Sequence, residues 1–258
     1  MDMLLVIDVG NTHTVLGVYQ DDQLRNDWRI HTERNTTEDE FNVLINSLFA
    51  ADNIHLADIK HTIISCVVPP MVTILDAFCR KYIGQPPTWV DAKNCAGMPI
   101  LLKNPGEVGA DRIVNAVAAF QRYHKSLIVV DFGTATTFDA ISEKGEYLGG
   151  AISPGIGIAS EALFLKASKL PRVEIFSPPK NVIGKDTIGS IQSGIIFGYA
   201  GLVDGIVRRM QREMGTKPKV IATGGLAELL FNVSETIDVV EPALTLAGLK
   251  LIANNMAK

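Results

Sequence analysis

Two spacings of apolar residues run through the chain: short β-branched runs that mark strands, and apolar positions three or four apart that mark helices. Residues 4–9 form a first strand, residues 8–14 a turn, and residues 14–19 the returning strand of a hairpin. Residues 20–27 are polar and predict a second turn, ahead of a third strand over 27–34. Thr37 and Glu40 have the spacing of a capping box, in which hydroxyl and carboxylate each satisfy an amide at a helix start. Phe41, Leu44, Ile45, Leu48 and Phe49 then share one helical face. A buried strand over 61–68 is ended by Pro69-Pro70, and Val72, Leu75, Phe78, Cys79 and Tyr82 mark the next amphipathic helix. Residues 84–107, rich in proline, glycine and asparagine, predict a connector with a short strand at 88–90, and a further helix opens at Gly109.

The same plan then returns. Strands are predicted over 127–132, 136–142 and 147–152, a helix over 158–168, a long helix over 187–214, a strand over 219–223, a short helix over 226–231 and a last helix over 242–256. Residues 4–18 align on residues 127–141 without a gap, setting Leu4 on Leu127, Val6 on Val129, Asp8 on Asp131, Gly10 on Gly133 and Thr14 on Thr137. A strand-strand-strand-helix-strand-helix order seen twice predicts an α/β protein of two halves, each a mixed sheet flanked by helices. The boundary falls in the connector, giving halves 1–107 and 108–258. The long helix carries Gly189, Gly194, Gly198, Gly201 and Gly205, which invite close approach of another helix and make it the candidate for an interface between two copies.

Composition narrows the class. With 258 residues and 47% apolar content the chain can fill a substantial core. A net charge of -4 argues against partners whose surface is itself anionic, so neither nucleic acid nor a charged membrane is expected. Cys66, Cys79 and Cys95 are odd in number and widely spaced, which fits reduced thiols better than a disulfide framework or zinc site. The apolar run at residues 3–7 lacks a basic flank and a cleavage site, and no uncharged apolar stretch reaches the ~18 residues of a spanning helix. A cytoplasmic protein is expected.

The candidate chemistry lies in the two duplicated turns, Asp8-x-Gly10-Asn11-Thr12 and Asp131-x-Gly133-Thr134-Ala135-Thr136. A glycine after an acid lets the backbone turn tightly and present amide N–H groups to phosphate oxygens, while the acid holds a cation or its waters. One such turn is a common hairpin device; two at the exits of apolar strands point to a paired phosphate site. The turns resemble the phosphate motifs of the superfamily of actin, the heat-shock ATPases and the sugar kinases, in which ATP lies in the cleft between two ribonuclease-H-like halves. Gly224-Gly225, after Val220-Ile-Ala-Thr, resembles the adenosine motif of that superfamily.

Within it, Asp8-Val-Gly-Asn-Thr, Gly109-Ala-Asp-Arg112, Asp131-Phe-Gly-Thr-Ala-Thr-Thr-Phe-Asp139 and Ile191-Gln-Ser-Gly194 together resemble the type III pantothenate kinases over essentially the whole chain. The resemblance implies ATP-dependent phosphorylation of pantothenate to 4'-phosphopantothenate, a homodimer, Mg²⁺ with the nucleotide and a dependence on K⁺ or NH₄⁺. It implies that Asp8, Val9, Gly10, Asn11, Thr12, His13, Thr14 and Val15, with Gly133, Thr134, Gly224 and Gly225, bind ATP, Asp8 positioning Mg²⁺ through water. Asp131 is implied as the monovalent-cation ligand, Asp111 as the proton acceptor, and Gly109, Ala110, Asp111, Arg112 and Thr187 as the pantothenate contacts, Thr187 from the neighbouring subunit.

The residues fit such chemistry on their own terms. A carboxylate beside Arg112 at a helix start is placed to stay ionised, and a guanidinium can clasp a substrate carboxylate by two bonds. Taken alone, the Asp-Arg pair reads as a cap with an ion pair, and Thr187 as a helix N-cap. His13 departs from the usual asparagine of the family, and Leu102 from a tyrosine that contacts substrate. Two other functions stay open at this point: a kinase of the same fold acting on another small hydroxy acid, and a non-catalytic ATP-binding regulator.

Overall fold

The computed structural model describes residues 3–175 and 177–256. β1 (Met3–Val9), β2 (His13–Gln20) and β3 (Gln23–His31) form an antiparallel meander. After α1 (Glu38–Ala51) the chain enters β4 (Ile59–Cys66), parallel to β1, and after α2 (Pro69–Phe78) it enters the two-residue β5 (Thr88–Trp89), parallel to β4. α3 (Ala110–Tyr123) leads to a second meander of β6 (Leu127–Phe132), β7 (Ala135–Ile141) and β8 (Tyr147–Pro154). α4 (Ile156–Lys166), α5 (Thr187–Met214), β9 (Lys219–Thr223), α6 (Ala227–Phe231), β10 (Val239–Val240) and α7 (Leu244–Met256) complete the order.

The strand orders are β3-β2-β1-β4-β5 and β10-β9-β6-β7-β8. Read from its other edge, the second sheet is the first with β6 in the place of β1 and β9 in the place of β4. The repeat seen in the letters is therefore a repeat of topology, and the expected pair of mixed sheets flanked by helices is what the chain forms.

Local chemistry accounts for the elements. Thr37 Oγ1 accepts from Glu40 N at 3.2 Å and Glu40 Oε2 accepts from Thr37 N at 2.8 Å, so the capping box is complete. Pro69 and Pro70 do not merely end a strand: they are the first residues of α2, where a missing N–H costs no helical bond. The third strand begins at Gln23, earlier than its polar sequence suggests, because β3 is an edge strand whose alternate residues face solvent. β10 pairs with β9 through residues too few to give any period.

The chain forms two compact units, Met1–Met98 with Lys103–Ala118 and Leu244–Lys258, and Pro99–Leu102 with Ala119–Ala243. The sequence predicts a single boundary at 107/108, whereas most of α3 and all of α7 belong to the first unit. α7 buries Leu244, Leu246, Leu249 and Ile252 there, and Thr245 Oγ1 donates to Asn115 Oδ1 of α3 at 2.8 Å. On the other side of the first sheet Leu5, Ile7 and Leu16 pack with Phe41, Ile45 and Phe49 of α1 and with Leu75 and Phe78 of α2. The second core gathers Ile128, Val130 and Phe138 with Val203 and Val207 of α5 and Leu230 of α6. α5 is long and apolar enough by length and composition to cross a membrane, contrary to the sequence reading; its buried face packs in this core, as expected of a core helix.

Candidate active site

In the first unit β1 is buried along most of its length, and its first polar side chain, Asp8, comes where the strand is about to leave the sheet. Asp8 pairs with Val15 on β2 and with Ser65 on β4, and Val9 with Thr14 and Cys66. The turn between is closed by Gly10 N donating to the His13 carbonyl at 3.0 Å. Burial, with the Asp8 charge nearby, pushes the Cys66 thiol up, and burial, with the Asp76 charge adding to it, takes Cys79 to about 12, so neither is a ready thiolate at neutral pH.

Past the end of β4, Val67 N donates to the Val9 carbonyl at 3.1 Å, bringing the following segment against the turn. Against Val67 lies Gly109, where an added Cβ would sit 3.7 Å from Val67 Cγ1 and only 2.5 Å from Asp111 Oδ1. The Asp111 carboxylate is thus folded back over the glycine that precedes α3, and its Oδ1 accepts from Arg112 N at 2.8 Å. Asp8, the turn after it and Asp111 stand at one end of one sheet, beyond the carboxyl ends of two parallel strands, where α/β sheets place their ligands.

From the sequence, the place of Asp111 beside Arg112 at a helix start suits an ionised carboxylate. Instead, burial dominates and raises its pKa, and the Arg112 amide and charge only oppose this. A carboxylate held above its ordinary range has a stronger affinity for a proton. At position 13 burial, then Arg29 and His31, lower the imidazole, so His13 is a neutral hydrogen-bonding ring at pH 7 and not a cation.

The second unit repeats the end of the sheet with different detail. Asp131 pairs with Thr137 on β7 and Thr223 on β9. Gly224 follows with φ +92°, and a Cβ there would meet Asp131 Oδ1 at 2.5 Å and the Phe132 backbone at 2.7 Å. Gly224-Gly225 and Asp131 therefore share one end of β6 and β9. Here the turn is closed by Gly133 N donating to the Ala135 carbonyl at 3.1 Å. Phe132 pairs with Thr136 where Val9 pairs with Thr14, so the second hairpin is one residue tighter. The gapless alignment holds through the glycine and slips after it: the buried counterpart of Thr14 is Thr136, not Thr137.

Two buttresses escape the sequence reading. Thr32, at the exit of β3, donates its N–H to the Thr12 carbonyl at 3.0 Å and its hydroxyl to the Gly10 carbonyl at 2.7 Å, and its Oγ1 lies 3.0 Å from Thr14 Oγ1. At the exit of β8 the same backbone bond is made by Gly155 N to the Thr134 carbonyl, 3.1 Å. A Cβ at 155 would collide with the carbonyls of Gly133 and Thr134, so the hydroxyl that Thr32 supplies has no room there. Buried Thr136 Oγ1 has no hydrogen-bond partner among the described residues. Both buttresses stand one residue past a strand end, a position that carries no chemical signal until its pairing is known.

Thr187 opens α5 but does not cap it: Asp186 is the N-cap, accepting from Gly189 N at 2.7 Å. Thr187 lines an open groove of about 660 Å³ with Leu163, Lys185, Ser190 and Ile191, none of them from the Asp131 or Gly224 turns. Among the described residues no three His, Cys, Asp or Glu side chains gather as a metal cage. Asp8 is a single half-buried carboxylate beside a turn, a donor set that fits a magnesium ion carried by nucleotide phosphates and water.

The profile of the type III pantothenate kinase family matches residues 4–209. A type III pantothenate kinase of Desulfatibacillum aliphaticivorans is 68% identical over 255 residues, 99% of both chains. Among solved structures, a Campylobacter jejuni protein described as a Baf family transcriptional activator is similar with TM-score 0.61 at 19% identity, over 98% of this chain and 100% of that one. An inorganic polyphosphate/ATP-glucomannokinase of Arthrobacter is similar with TM-score 0.52 at 14% identity, over 100% and 99% of the two chains. These two likenesses carry the actin-like ATPase and sugar-kinase fold alone.

Proposed function

The chain belongs to the type III pantothenate kinase family and phosphorylates pantothenate to 4'-phosphopantothenate with ATP, in coenzyme A biosynthesis, and from that premise we propose that Asp111 is the general base of the transfer. The observation that carries this role is the fold of the Asp111 carboxylate over Gly109, which itself lies against the Val67 segment that is bonded to the end of β1. Phosphoryl transfer needs an in-line hydroxyl, an acceptor for its proton and charge stabilisation at the equatorial oxygens. Asp111 accepts the hydroxyl proton, and its raised proton affinity suits that task. Arg112 clasps the pantothenate carboxylate, with Gly109 and Ala110 giving the substrate room against the backbone.

Asp8, Val9, Gly10, Asn11, Thr12, His13, Thr14 and Val15, with Gly133 and Thr134, bind the phosphates of ATP, and Gly224 and Gly225 its adenosine. With ATP bound, Asp8 would hold Mg²⁺ through water and Asp131 a K⁺ or NH₄⁺ ion, and these would supply positive charge against the phosphates. Thr187 contacts pantothenate from a second copy. Support for a homodimer comes from the apolar side chains exposed around that residue and along α4: Val182, Ile183, Ile188, Leu163, Phe164 and Leu165. Free Cys66, Cys79 and Cys95 and two small-molecule substrates support a cytoplasmic location.

Asp111→Asn tests the central role. Pantothenate-dependent ADP release is expected to fall by about 10²–10⁴, the span of general-base catalysis, with ATP binding retained. Full activity in that variant removes Asp111 from the mechanism. ADP release in potassium against sodium tests the monovalent ion, and the mass of the particle in solution tests the dimer.

A further inference from the structure

The turn from Asp8 to Val15 brings one carboxylate and no lysine or arginine to a ligand that is itself strongly anionic. The structure supplies a cation from the next strand. Thr32 pins the exit of β3 to the turn by its bonds to Thr12, Gly10 and Thr14, and two residues on the chain reaches back: Arg34 Nη2 donates to Asn11 Oδ1 at 3.1 Å. We propose that Arg34 is a phosphate-binding residue of the kinase, gripping the phosphate oxygens of ATP at the rim of the first turn.

Three observations carry it. No carboxylate pairs with Arg34 among the described residues, although acids surround it in sequence. Glu33 accepts from Asn35 N at 3.1 Å, Glu40 from Thr37 N at 2.8 Å, Asp39 from Lys81 and Tyr82, both at 2.5 Å, and Glu38 from Lys81 at 3.5 Å. The guanidinium is exposed and one bond to a neutral amide leaves it donors to spare, in a planar fork that matches two phosphate oxygens. Finally, the fold does not need it. In the second unit the strand exit bonded to the turn is Gly155, and the residue two further on is Gly157, so the same architecture closes without a counterpart.

The inference rests on the kinase reading above, but its test needs no acceptor substrate. ATP and adenosine are titrated calorimetrically into the wild-type protein, Arg34→Ala and Arg34→Lys. The alanine variant is expected to bind ATP about tenfold or more weakly, the loss of charge-assisted bonds to phosphate, while adenosine binds as in wild type. Lysine is expected to recover only part, since an ammonium keeps the charge but lacks the planar fork that matches two phosphate oxygens. ATP affinity unchanged in Arg34→Ala, or adenosine weakened as much as ATP, overturns the proposal. Pantothenate-dependent turnover of the wild-type protein is scored separately, so a failure of the acceptor assignment leaves the ATP titration standing.

Discussion

A methyl group at position 109 would stand 2.5 Å from Asp111 Oδ1, so Gly109→Ala turns that carboxylate out of its place without adding or removing any charge. The variant is expected to fold, to bind ATP, and to lose roughly tenfold or more in kcat, as a displaced catalytic group does; kcat and KM for each substrate check it. The proton affinity of Asp111 makes two further expectations of opposite sign. As a base it must be unprotonated, so activity is lost as pH falls through its raised pKa, with the acid limb above the usual carboxylate range. Stability moves the other way, because burial penalises the charged form: above the raised pKa the penalty is fully present, and as pH falls through it the fold gains. Asp111→Asn is therefore expected to melt no lower than wild type while its acid limb disappears. A variant that lost stability along with activity would make Asp111 a structural group.

Between elements, Thr32 is the joint that ties β3 to the first turn. Thr32→Val removes the donor to the Gly10 carbonyl and leaves buried Thr14 Oγ1 without its partner, an expected cost of about 1–3 kcal/mol. The KM for ATP is expected to rise with that for pantothenate unmoved, and Thr32→Ser to restore it; failure of serine to rescue would assign the effect to packing. In the second unit Gly224→Ala forces φ +92° on an alanine and drives its methyl into Asp131, so about 1–3 kcal/mol should be lost in urea unfolding. Much at this scale was legible. β6, α5 and β9 follow from their apolar periods, and the duplicated acid and glycine mark the ends of β1 and β6. The one-residue slip between the two hairpins after the glycine was not, because loop length is set by which carbonyl closes the turn, His13 in one and Ala135 in the other. Thr32 and Gly155 were invisible for a related reason: their role lies in a partner across the sheet, not in neighbouring letters.

Across the whole chain the internal repeat tells the fold, but not which sheet each helix covers. An apolar face on α7 demands a partner without naming one, and the structure gives it the first sheet and α3, far from its neighbours in sequence. Burial of Leu244, Leu246, Leu249 and Ile252 contributes about 1.5–3 kcal/mol each, together comparable to the whole stability of a domain. Deleting residues 244–256 should therefore cost the first unit its protection against hydrogen exchange at β1 and β4 while β6 and β9 stay protected. Equal loss in both sheets would mean that the two cores do not stand alone.

That borrowed helix also sets an order of events at the ribosome. The second unit is complete once residue 243 has emerged, whereas the sheet translated first waits for α7, which is made after everything else it packs with. The older half of the nascent chain must stay open while the younger half closes, reversing the usual vectorial sequence, and its uncovered strands are the part of the molecule that a chaperone would meet.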